Sequence, residues 1–85
     1  MMFALEFSNQ SQKFLKKCGA ELRDRILEKI KNLKTEPVPH KAVRIVGEER
    51  TFRIRVGDYR VLYEVLWDKN EILIAVIDKR PRAYG

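Results

Sequence analysis

The sequence predicts one α+β domain: two N-terminal helices packed on an antiparallel meander sheet, in the order β-α-α-β-β-β-β. Three observations carry that expectation. From Phe14 to Leu33 the apolar residues recur at helical spacing, whereas beyond Pro39 they alternate with polar ones at the period of a strand. Gly57-Asp58 separates two alternating runs, the kind of two-residue link that favours a tight hairpin. A chain of 85 residues has room for a single core, so the domain is taken to span residues 1–85.

Phe3, Leu5 and Phe7 alternate with Ala4 and Glu6 as a short opening strand. Ser8 is a suitable N-cap for a first helix through about Cys18, whose apolar side is Phe14, Leu15 and Cys18, and Gly19 ends it. A second helix is expected from about Ala20 to Lys34. Leu22, Ile26, Leu27, Ile30 and Leu33 form its apolar stripe, and its arginines and lysines are assigned to solvent. Pro37 and Pro39 close it and begin a connector around His40, read as an exposed loop residue.

Four strands should follow, at about 42–46, 51–56, 59–67 and 71–78. Across the Gly57-Asp58 link, Val56 should face Tyr59, Arg55 face Arg60, Ile54 face Val61, Arg53 face Leu62 and Phe52 face Tyr63. Phe52, Ile54, Val56, Tyr59, Val61 and Tyr63 then share a core face, and Arg53, Arg55 and Arg60 share the other. Around the turn at Asp68-Lys69-Asn70, a register with Asp68 opposite Glu71 brings Arg60 opposite Lys79, unless a bulge intervenes. That register also sends Ile72, Ile74 and Val76 to the core. Glu64 is expected to pair with a strand cation, and Trp67 to serve as core or rim packing.

The formal net charge of +6 points to a nucleic acid, an anionic membrane or an acidic protein as partner. One cysteine and one histidine can build neither an internal disulfide nor a metal site. No secretory segment and no bilayer-length apolar run is present, so a cytoplasmic protein without metal or cofactor is expected. Like charges opposite one another across strands are destabilising, so the arginine set makes sense if a polyanion belongs between its members. Arg53, Arg55, Arg60 and Arg80, with Lys79 and Arg82 nearby, offer guanidinium forks for phosphate oxygens. Tyr84 adds a phenol that can stack on a base or donate a proton. Arg44 and Arg50 extend the basic surface, with salt bridges as the alternative. A one-sided basic sheet with a rim aromatic suits single-stranded RNA better than a duplex groove.

The run Phe52-Arg53-Ile54-Arg55-Val56-Gly57-Asp58-Tyr59-Arg60-Val61-Leu62-Tyr63-Glu64-Val65 and the ending Lys79-Arg80-Pro81-Arg82-Ala83-Tyr84 resemble the signatures of the RelE/ParE toxin superfamily. The resemblance covers nearly the whole chain. It implies a RelE-like microbial ribonuclease-type fold and the toxin of a type II toxin–antitoxin pair. It further implies ribosome-dependent, metal-independent cleavage of mRNA in the A site, in which the 2′-hydroxyl attacks the neighbouring phosphate. Its partners would be the ribosome with its message and a RelB-like antitoxin, acidic and partly disordered.

By position, Arg53 and Arg55 match the family's basic pair, Arg60 the arginine that steadies the pentavalent phosphate, Arg80 the C-terminal catalytic arginine and Tyr84 the terminal tyrosine. The proton-transfer base is less direct, because arginine effectively does not deprotonate. Lys79, beside Arg60 in the expected register, is one candidate and Tyr84 another. Two rival functions remain: a ParE-like toxin that poisons DNA gyrase, and a binding module for nucleic acid that lacks catalytic activity.

Overall fold

The computed structural model describes residues 2–79. Among them the elements run β1 (Ala4–Phe7), α1 (Asn9–Lys17), α2 (Ala20–Asn32), β2 (Val43–Arg44), β3 (Thr51–Val56), β4 (Tyr59–Leu66), a 3-10 turn at Trp67–Lys69 and β5 (Glu71–Lys79). The strands form one sheet in the order β1-β5-β4-β3-β2. The four later strands are an antiparallel meander, as expected. β1 joins them parallel to β5, making the sheet mixed. A parallel neighbour requires a crossover, and α1 and α2 lie within the crossing segment.

The helices cover one face. Ile26 and Ile30 of α2, and Leu33 at its C-cap, are buried with Phe52, Ile54, Val56, Val61, Tyr63, Val65, Ile72, Ile74 and Ile77. Ser8 caps α1, accepting a hydrogen bond from the Ser11 amide. Arg23, assigned to solvent from the sequence, instead closes the other end of α1. Its Nε donates to the Leu15 carbonyl at 2.6 Å and its Nη2 to that of Cys18 at 3.1 Å, meeting acceptors that a helix end leaves unpaired.

The β3–β4 hairpin has the expected register from Phe52↔Tyr63 to Arg55↔Arg60. Gly57 turns the chain at φ +60°, and a Cβ there would meet Arg25 Nη2 at 3.1 Å. The positive φ is what calls for glycine, since the flexible end of Arg25 can give way.

The β4–β5 pairing departs from expectation in two places. The loop uses Trp67–Asn70, with Asn70 at φ +52°, so Leu66 rather than Asp68 faces Glu71. Asparagine tolerates this left-handed geometry better than most residues. A bulge then shifts the register between Leu62 and Tyr63: Tyr63 faces Ile74, but Leu62 faces Val76. Ala75 is the additional residue on β5, and beyond it the faces exchange. Ile77 is consequently buried and Val76 only half-buried, the reverse of the sequence expectation.

α1 pins the bulge. The Ser8 hydroxyl donates to the Ala75 carbonyl at 2.7 Å and the Ser11 hydroxyl to that of Ile74 at 3.1 Å. Gln10 donates to the Ile77 carbonyl at 2.8 Å and accepts from its amide at 2.9 Å, as a neighbouring strand would. These side chains continue the cover of β5 where β1 stops.

Tyr63 is fully buried, stacks on Phe52 with ring centroids 5.8 Å apart, and donates its phenol to the Pro37 carbonyl at 2.7 Å. Burial disfavours the phenolate and pushes its pKa well above the ordinary value of 10.0. Above about pH 10 an unfolded chain ionises this tyrosine while the folded one keeps it protonated. Stability should therefore fall as pH rises through that window. Tyr63→Phe is expected to remove this contribution. Urea titrations of both proteins at neutral pH and near pH 11 should show a smaller alkaline loss in the variant, and equal losses would refute the assignment.

Candidate functional site: a guanidinium row on the open sheet face

Period-two alternation puts Arg53, Arg55 and Arg60 on the face away from the helices. Arg55 is exposed, while Arg53 and Arg60 are partly covered. The register forms a row across three strands: Arg55 of β3, Arg60 of β4 and Asp78 of β5. Arg60 Nε donates to Asp78 Oδ1 at 2.7 Å and Nη2 to Oδ2 at 3.4 Å, with side-chain exposures of 25% and 40%. An ion pair this accessible adds about 0–1 kcal/mol to stability. Its main effect is to fix one edge of the guanidinium and to offset the repulsion from Arg55.

Arg53 and Arg55 also rim a groove of about 580 Å³ between α2, the connector and β3, together with Lys29, His40 and Lys41. β2 pairs with Phe52 and Arg53 only. The groove thus opens beside the part of β3 that β2 leaves uncovered.

Other expected residues fall elsewhere. Lys79 faces Tyr59, not Arg60, because the bulge changes its side of the sheet. Arg44 pairs with Phe52, and its guanidinium lies 5.6 Å from that ring's centroid, so it caps the core face and does not extend the arginine face. Arg50 lies just ahead of β3 in a hollow lined also by Glu48, Glu49 and Glu64, and it makes no ion pair among the described residues. Glu64 makes no ion pair among the described residues; Asp78 has that role.

His40 is exposed, as expected. Trp67, 52% exposed, packs edge-on against Phe3 at the rim. Arg80, Arg82 and Tyr84 lie outside the described residues. Asp78 is the site residue the sequence expectations missed. No local pattern marks it, since its side of the sheet depends on the bulge.

Among the described residues no three or more His, Cys, Asp or Glu side chains are grouped so as to hold a metal ion, and no helix is long and apolar enough to cross a membrane.

This fold, with its cationic open face, has close counterparts among small toxins. Residues 5–84 match the family described as the ParE toxin of the type II toxin–antitoxin system parDE. The chain is 36% identical over 87 residues to a Methanocaldococcus jannaschii protein named RelE1, covering 99% of this chain and 97% of that one. A chain of the archaeal RelE–RelB complex from Pyrococcus horikoshii OT3 superposes with a TM-score of 0.82 at 32% identity, covering 98% of this chain and 100% of its own. Isolated Escherichia coli RelE superposes with a TM-score of 0.85 at 20% identity, covering 95% and 87%, a likeness of fold. The chain belongs to the RelE/ParE toxin superfamily. Within it, this is a RelE-like toxin of a toxin–antitoxin system.

Proposed function

We propose that the protein is an endoribonuclease that enters the ribosomal A site and cuts the message there without a metal ion, halting translation in the cytoplasm. The observation that carries this reading is the set of Arg53, Arg55 and Arg60 on the sheet face away from the helices. In the reaction the RNA 2′-hydroxyl oxygen bonds to the adjacent phosphorus and the bond to the 5′-oxygen breaks, leaving a cyclic phosphate and a 5′-hydroxyl. Negative charge builds on the phosphoryl oxygens, and preorganised guanidinium groups stabilise it where it develops. Arg60 is assigned to those oxygens, Arg53 and Arg55 to the flanking backbone, and Arg80 to the leaving side.

One proton must leave the 2′-hydroxyl and another must reach the 5′-oxygen. Lys79 stands in the Tyr59 row on the opposite face. Tyr84 is therefore the proposed proton-transfer and stacking group.

The proposed antitoxin is RelB-like and acidic, and it folds as it wraps the basic domain. Support comes from the +6 charge and from related chains solved as RelE–RelB and RelBE complexes.

Mapping message ends after incubation with programmed ribosomes tests the function. Cuts phased to codons are expected, and their absence beside an active relative would remove the reading. The matching family description names ParE, which favours a second reading as a gyrase poison. Inhibition of gyrase supercoiling with no new RNA ends would establish it in place of the first. Salt-sensitive RNA binding with neither activity would instead indicate a binding module.

A further inference from the structure

We infer that Asp78 is a positioning residue for Arg60, holding its guanidinium toward the scissile phosphate; the inference rests on the cleavage reading above. Three observations carry it. Asp78 faces Arg60 directly across β4 and β5, with Nε–Oδ1 at 2.7 Å and Nη2–Oδ2 at 3.4 Å. An arginine bound along this edge loses rotational freedom while remaining a cation, the preorganisation that an electrostatic catalyst requires.

The second observation is the bulge. In the register that β4 and β5 keep before it, Arg60 would face Ile77, and Asp78 would turn to the opposite side. The additional residue brings the carboxylate onto the arginine face and returns Ile77 to the core. Bulges commonly re-aim a side chain beside a functional site.

The third is the support behind the bulge. Ser8, Ser11 and Gln10 bond to the backbone of Ile74, Ala75 and Ile77, fixing the segment that leads into Asp78. This places α1, on the covered side of the sheet, in control of a contact on the open side.

Asp78 also brings negative charge beside a phosphate site, so its removal should not weaken RNA binding. That separates positioning from mere support of the fold.

Asp78→Ala and Asp78→Asn are compared with the parent on programmed ribosomes. Asp78→Ala is expected to lower kcat roughly 10- to 100-fold, the scale of a misplaced catalytic group, with KM unchanged or lower. Asp78→Asn retains an acceptor for Nε and should stay within about threefold of the parent, as a neutral bond replaces a charge-assisted one. In the free protein, exchange of the Arg60 Nε–H should be slow in the parent and in Asp78→Asn, and fast in Asp78→Ala.

A parent that cuts, with Asp78→Ala cutting equally well, overturns the inference alone. An Asp78→Asn protein as inactive as a folded Asp78→Ala also overturns it, because the carboxylate would then be acting as a base. Should Asp78→Ala fail to fold, the kcat of Asp78→Asn decides by the same threefold criterion. A parent that never cuts removes the cleavage reading and this inference with it.

Discussion

Arg60→Ala is expected to reduce message cleavage roughly 10²- to 10³-fold, the usual effect of removing one preorganised donor from a developing anion. Its effect on stability should be small. Arg60 lies off the core, at 25% side-chain exposure, and its ion pair with a 40%-exposed carboxylate adds about 1 kcal/mol at most. The substitution also relieves its confrontation with Arg55. Cleavage and urea unfolding should be measured on the same preparation. Retained cutting would exclude Arg60 from the chemistry, and collapse of the fold would contradict its place on the open face.

Tyr63→Ala has the opposite profile. It empties a fully buried aromatic site beside Phe52 and removes the donor to the Pro37 carbonyl. Large-to-small aromatic substitutions in cores cost about 3–5 kcal/mol. A domain of this size has roughly 4–13 kcal/mol of stability in total. The variant should therefore unfold at much lower urea concentration and lose cleavage only in proportion to its unfolded fraction. A midpoint near that of the parent would show that the tyrosine is not a structural keystone.

The two predictions rest on parts of the fold that were unequally legible in the sequence. The β3–β4 register could be read because Gly57-Asp58 leaves little freedom of alignment and the alternating residues on both sides agree on a buried face. The arginine face followed from it. The β4–β5 register could not be read in the same way. Its loop contains a 3-10 turn and a left-handed Asn70, and its bulge is held by Ser8, Ser11 and Gln10, residues 63–67 positions distant in the chain. Local pattern carries no trace of partners so remote.

That hidden bulge accounts for the misplacement of Lys79 and Val76 and for the omission of Asp78. β2 was expected over about 42–46 but is only Val43–Arg44, so strand propensity overstated the pairing there. The parallel partnership of β1 is another consequence of tertiary contact, since alternation in Phe3–Phe7 identifies a strand but not its neighbour.

The sheet order has a consequence for biosynthesis. β5 follows every other described element in the chain, yet it lies between β1 and β4. Until the ribosome has delivered it, the opening strand has no neighbour and α1 has no edge to clasp. Contacts spanning most of a chain form slowly, and here they must also wait for translation to supply their partner. A nascent chain thus stays unassembled while most of it is already made, and the sheet closes only when its middle strand arrives.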